Sequence, residues 1–314
     1  MRWRGLPGSG NVQDRRGMGM GVPIGGGIGG IVLLLLFSAL TGTNPADVIT
    51  GGGSDQQVGT SGARENDPEA EFVSVVLKDT ENTWSEIFAQ RGQDYPEPQL
   101  VLFAYATQSA CGVGQSAMGP FYCPSDEQVY LDLSFFHELE TRFGAPGDFA
   151  QAYVVAHEVG HHVQTVTGIS SKVTAARPRM SERDANQLSV RQELQADCYA
   201  GVWGHYAARR GLLEPGDAEE GLRAAAAIGD DRIQRQTQGH VVPESWTHGS
   251  SEQRMTWLRR GMDSGRVEAC DTFTSGTWRR TTVTLAEVVR SAYKDASHPA
   301  TTSLNAVGFS RLAR

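Results

Sequence analysis

Residues 157–161 read His157-Glu158-Val159-Gly160-His161, and this pentad constrains the fold because its two histidines reach one point only from a helix. Side chains four apart lie on the same helical face, so both imidazoles can meet a single metal ion. Glu158, one residue past the first ligand, is then placed to act as general base on a water molecule at that ion. The competing reading is a buried helix whose histidines do no more than hydrogen-bond. The flanks predict the helix itself: Phe149, Ala152, Tyr153, Ala156, Val159 and Val163 recur at helical spacing as a core-facing stripe. Asp148 and Gln151, following Gly147, resemble a capping box. Gly160 costs a helix about 1 kcal/mol relative to Ala, a penalty usually tolerated where another backbone comes close.

A catalytic zinc site needs a third protein ligand and one open position. The stretch Gln192 to Cys198 offers Glu193, on a long helix that Ser181 could cap and that runs toward Gly211. Asp197 shares a face with Glu193 and suits the role of accepting the outer N–H of a ligand histidine, which fixes the ring's tautomer; it is also the next candidate for third ligand. Acidic pairs at this spacing are ordinarily a solvated face. Here the neighbours are Leu194, Ala196, Cys198, Ala200, Val202 and Trp203, which is a core composition. His162 points about 100° away from His161 and is expected to stay outside the metal shell.

A third element, Thr247 to Arg254, opens a short helix at Ser250 or Ser251. The order H-E-x-x-H, E-x-x-x-D, T-H-x-S-x-x-x-R resembles the gluzincin peptidases of the HtpX and Ste24 type. The resemblance implies that His248 lies near the scissile carbonyl and that Arg254 buttresses the site; Gly249 stands where those peptidases usually have proline. The chain is more closely similar to the bacterial neutral zinc metallopeptidases of the YpfJ type. That likeness rests on Cys111–Pro124, Asp132–Phe136, Gly147–Gln164 and Glu193–Gly204, with Ile228–Arg232 and Thr247–Arg254 extending it. It covers about residues 70–273 together with the N-terminal anchor, and implies a zincin-like fold and one Zn2+ per chain held by His157, His161 and Glu193.

Composition shifts divide the 314 residues into one globular domain with appendages. Residues 17–46 carry no charge, and Arg2, Arg4, Arg15 and Arg16 precede them against Asp14 alone. The positive-inside rule then predicts a cytoplasmic basic segment at 1–16 and a single-pass anchor at 17–41, with the domain outside the cytoplasmic membrane. A cleaved signal peptide is the rival, though Ser38 to Gly42 offers no good cleavage site. Residues 42–70 read as a flexible linker, 71–275 as the metallopeptidase domain, and 276–314 as a basic, partly disordered tail. The domain is expected to be α+β, mainly helical with a small β-sheet. Its strands are predicted at Phe72–Leu77, Leu100–Tyr105 and Gln128–Leu133, a helix around Asn82–Gln90, and a capping pair at Asp217 and Glu220. The net charge of −8 gives no basic footprint for nucleic acid.

Four cysteines, Cys111, Cys123, Cys198 and Cys270, fit export and allow three connectivities. The loop-like stretch between Cys111 and Cys123 favours their pairing, which leaves Cys198 with Cys270. The leading expectation is therefore a membrane-tethered zinc endopeptidase acting on protein or peptide, with His248 stabilising the oxyanion. A non-catalytic, zinc-stabilised assembly or chaperone-like module is the alternative, and hydrolysis of cell-wall peptide is a third reading. Ligand number separates the first two: three protein ligands with an open position suit catalysis, four suit structure. Oligomeric state is not legible in the sequence.

Overall fold

The computed structural model describes residues 1–17 and 67–274. Its central sheet has the order β1-β2-β6-β5, built from β1 (Val12–Asp14), β2 (Gln99–Phe103), β5 (Phe121–Cys123) and β6 (Gln128–Asp132). The first three strands of that order are parallel and β5 is antiparallel to β6. A hairpin of β3 (Ala106–Ser109) and β4 (Gly112–Gln115) projects beside it. The helices are α1 (Pro68–Ala89), α2 (Ser134–Thr141), α3 (Asp148–Val166), α4 (Ile169–Ala176), α5 (Glu182–Arg209), α6 (Asp217–Ala227), α7 (Asp230–Gln238) and α8 (Ser251–Ser264). The α+β class is as expected, with helices dominant. Among the described residues no helix is long and apolar enough to cross a membrane.

Phe72–Leu77 is not a strand. It lies inside α1, which Asp67 caps by accepting from the Ala70 N–H and which Pro68 starts. Phe72, Val73, Ser74, Val75, Val76 and Leu77 are all buried, so this stretch of the helix is enclosed on every side and shows no amphipathic period. The two expected capping pairs are also corrected. Asp148 is the first residue of α3, after Gly147, and its carboxylate lies 2.8 Å from the Met1 amine. Asp217 likewise begins α6 after Gly216 and accepts from the Glu214 N–H, while Glu220 accepts from the Phe149 N–H and so joins α6 to the start of α3.

Residues 1–16, expected to stand apart as a basic segment, are part of the domain instead. Met1 and Trp3 are buried in the main core, with Trp3 edge-on to Phe72 at 5.2 Å between centroids. Strand β1 supplies a sheet edge, and Val12 is fully buried. Helix α1, capped by Asp67, begins at Pro68, ahead of the expected domain start at 71. The expected anchor at 17–41, most of the linker and the tail lie outside the described residues.

Both disulfides pair as the loop argument favoured, Cys111 with Cys123 and Cys198 with Cys270. The first ties β4's approach to the end of β5, and the second ties α5 to the turn after α8.

Candidate metal centre

Helix α3 lies against α5, and Gly160 marks the contact: a Cβ there would sit 2.9 Å from the Ala196 carbonyl oxygen and 3.1 Å from its Cα. The close approach brings the pentad onto the face of α5 that carries Glu193 and Asp197. His157 Nε2 lies 3.2 Å from Glu193 Oε2, and His161 Nε2 lies 3.4 Å from Glu193 Oε1. One donor atom from each of these three side chains falls within 4.8 Å of the others. Two imidazoles and one carboxylate form a donor set suited to zinc.

Each histidine presents Nε2 to this point because its Nδ1 is engaged elsewhere. His157 Nδ1 donates to Asp197 Oδ1 at 2.9 Å, and His161 Nδ1 donates to Gln164 Oε1 at 2.9 Å. Asp197, fully buried, also accepts from the Tyr153 hydroxyl at 2.5 Å and from Arg254 Nε and Nη2, both at 2.9 Å. Arg254 is itself buried and further donates to the Ile228 carbonyl. Gln164 is held by the Gln192 carbonyl and Gln195. His162 turns away, donating from Nε2 to the Pro96 carbonyl and accepting the Tyr122 hydroxyl at Nδ1.

The electrostatics favour a cation between the three donors. Burial alone would lower the His157 pKa, yet the carboxylates of Asp197 and Glu193 push it up to about 10. Burial opposes the charge on His161 as well, and Glu193 outweighs it, so that pKa is raised. Glu193 itself is held well below the usual carboxylate range against its burial by the two histidines, and Asp197 is depressed against burial by Arg254 and His157.

The three donors form one wall of a cavity of about 530 Å³, which Glu158 and His248 also line. Phe135, Phe143, Val154, Ile228 and Ile233 give it apolar flanks. Its roof, residues 116–120, is held by Asp132, which accepts from Ser116 and from the Tyr105 and Ser134 N–H groups. His248 stands in the loop before α8, whose start carries the capping box of Ser250 and Gln253. That loop is organised by Asp230, which accepts from the N–H groups of Thr247, His248 and Gly249 and lies 3.1 Å from His248 Nδ1. The Asp230 hydrogen bond raises the His248 pKa, against the opposing pull of burial. Gly249 has φ +96°, a region closed to proline.

His157, Glu158, His161, Glu193, His248 and Arg254 thus line one cavity, and Asp197 bonds to His157 and Arg254 behind it. Tyr153, Gln164 and Asp230 are additions. Gln164, three residues past His161 on the same helix, could have been found from that spacing; Asp230 lies in the Ile228–Arg232 stretch, but no spacing there points to His248.

The family described as "Putative neutral zinc metallopeptidase" matches residues 1–273, the N-terminal arm included. The chain belongs to this family. It is 50% identical over 283 residues to "Uncharacterized protein YpfJ" of Escherichia coli K12, an alignment covering 87% of this chain and 99% of that relative. It is also 43% identical over 215 residues to "Uncharacterized protein Rv2575" of Mycobacterium tuberculosis, covering 65% of this chain and 72% of the relative. No solved structure matches the chain significantly.

Proposed function

We propose that the protein is a zinc-dependent endopeptidase that works in an oxidising compartment outside the cytoplasm. The observation that carries this reading is the convergence of His157, His161 and Glu193 on one wall of an open cavity that also contains Glu158 and His248. A zinc ion held by the three side chains would polarise the scissile carbonyl and activate water. Glu158 takes the proton from the attacking water and passes it to the leaving amine. His248, favoured in its protonated form by Asp230, donates to the developing oxyanion. Arg254 and Asp197 keep His157 oriented throughout. The apolar flanks of the cavity suit a peptide with a bulky apolar side chain beside the scissile bond. Two disulfides within the domain support an extracytoplasmic site.

Metal analysis of the purified chain, followed by peptide-library cleavage with a Glu158→Gln control, tests the reading. About one zinc per chain is expected, lost on Glu193→Ala, with cleavage enriched for apolar side chains. Glu158→Gln should keep the zinc and lose roughly 10²–10⁴-fold in turnover. Zinc retained in Glu193→Ala, or cleavage unaffected by Glu158→Gln, would overturn it in favour of a non-catalytic zinc-stabilised module.

A further inference from the structure

The N-terminal arm is bound to the domain at both its ends, through Met1 to Trp3 and through Ser9 to Arg16. Beyond the buried Met1 and Trp3, Ser9 donates its N–H to the Ser74 carbonyl and its hydroxyl to the buried Glu81. Asn11 Nδ2 reaches Glu81 and Glu97 at 2.9 and 2.8 Å, and Lys78 completes the Glu81 pocket at 2.8 Å. Val12, Gln13 and Asp14 then run parallel to Leu100, Val101 and Leu102, and the Arg15 N–H continues the ladder to the Leu102 carbonyl. These contacts use the polar groups, the apolar side chains and the backbone of the arm together, as a paired edge strand does.

The arm ends beside the point where the chain resumes. Arg16 Nη1 lies 2.6 Å from Asp67 Oδ2, and Asp67 is the residue that caps α1. Arg16 also chelates Asp14 through Nε and Nη2. The two described stretches, ending at residue 17 and resuming at residue 67, therefore meet at one place. One bilayer crossing between residues 17 and 67 would separate those ends by about 30 Å of hydrocarbon, which a 2.6 Å ion pair excludes. Two crossings would need about 40 apolar residues, more than the uncharged stretch 17–46 contains.

We propose that the N-terminal arm is a working strand of the catalytic unit and lies on the same side of the membrane as the metal centre. The arginines that suggested an inside-facing N-terminus have structural partners. Arg16 binds Asp14 and Asp67, Arg15 reaches Gln13, and Arg4 covers the Trp3 ring at 4.7 Å.

The test uses the full chain with single new cysteines at exposed positions, since the four native ones are in disulfides. Leu6→Cys reports the arm and Tyr105→Cys the domain; Gly10→Cys and Val113→Cys serve as a second pair should either fail to accumulate. A membrane-impermeant maleimide is applied to spheroplasts and to lysed cells. The expected result is that arm and domain respond alike: both label fully before lysis, or both gain equally on lysis. Labelling of the domain before lysis with the arm protected until lysis would overturn the proposal and restore a single crossing.

Discussion

Asp197 is the residue through which the site is assembled, because His157, Tyr153 and Arg254 all bond to one fully buried carboxylate. Removing its cationic partner leaves a buried charge without compensation, so Arg254→Ala should cost roughly 3–5 kcal/mol, read by chemical denaturation of the metal-free chain. A loss below about 1 kcal/mol would mean that Asp197 is reached by water or already neutral. The same carboxylates set a pH dependence. With its pKa pushed up to about 10, His157 is protonated in the metal-free chain at neutral pH, and zinc must displace that proton. Apparent zinc affinity should therefore rise with pH through the neutral range, by roughly tenfold per unit for each proton released; competition with a chromophoric chelator measures it. Asp230 acts on turnover. Because it raises the His248 pKa, Asp230→Asn should draw the alkaline limb of the kcat profile to lower pH while zinc content stays unchanged. A fall in activity without any shift of the limb would reduce Asp230 to a loop support. The candidate ligand positions were legible because a helix repeats every 3.6 residues, so 157 and 161, or 193 and 197, share a face in any context. Asp230 was not, because its target is eighteen residues away across a turn.

At the scale of elements, the contact between α3 and α5 determines whether Glu193 reaches both histidines. Gly160 admits the α5 backbone, and Gly160→Ala would force the helices apart, since real Cβ atoms are hardly ever found as close as 2.9 Å to a carbonyl oxygen. The expected outcome is a chain that folds with helical content intact but binds zinc at least tenfold more weakly, by calorimetry; an unchanged affinity would show that the two helices slide without moving the donors. Elements with a surface were readable from their period. Helix α3 shows its stripe, α5 its Ser181 cap, and β2 and β6 lie within a residue or two of the predicted runs. Helix α1 was misread because burial on every side erases the period that distinguishes a helix from a strand, and its β-branched Val73, Val75 and Val76 tilt the reading toward a strand. Strand β1 was missed for a different reason: three residues cannot show an alternation, and their strand character comes from pairing with β2.

Across the whole molecule, long-range ties hold the site-bearing helices to the rest. The Cys198–Cys270 disulfide closes a loop of 72 residues, against 12 for Cys111–Cys123. In the chain-entropy model these are worth about 4 and about 3 kcal/mol, so Cys198→Ala with Cys270→Ala should lower the melting temperature more than the matching Cys111/Cys123 pair. The reverse order would indicate that the 111–123 loop contributes through native contacts that the entropic argument omits. The arm is the other tie: it reaches from the α6 end of the core to the β1 edge, at the opposite side of the sheet from β5. The sequence by itself determined the helical H-E-x-x-H motif, the candidate third donor Glu193, the acid Asp197 on the same helical face and the α+β class, because each follows from local spacing or from composition. Only the tertiary structure decided that residues 1–17 belong to the domain, that Arg16 meets Asp67, and that Asp230 holds His248 at the cavity. Those pairings join residues far apart in the chain, and what specifies them is complementary burial and charge in three dimensions, which no periodicity along the chain records.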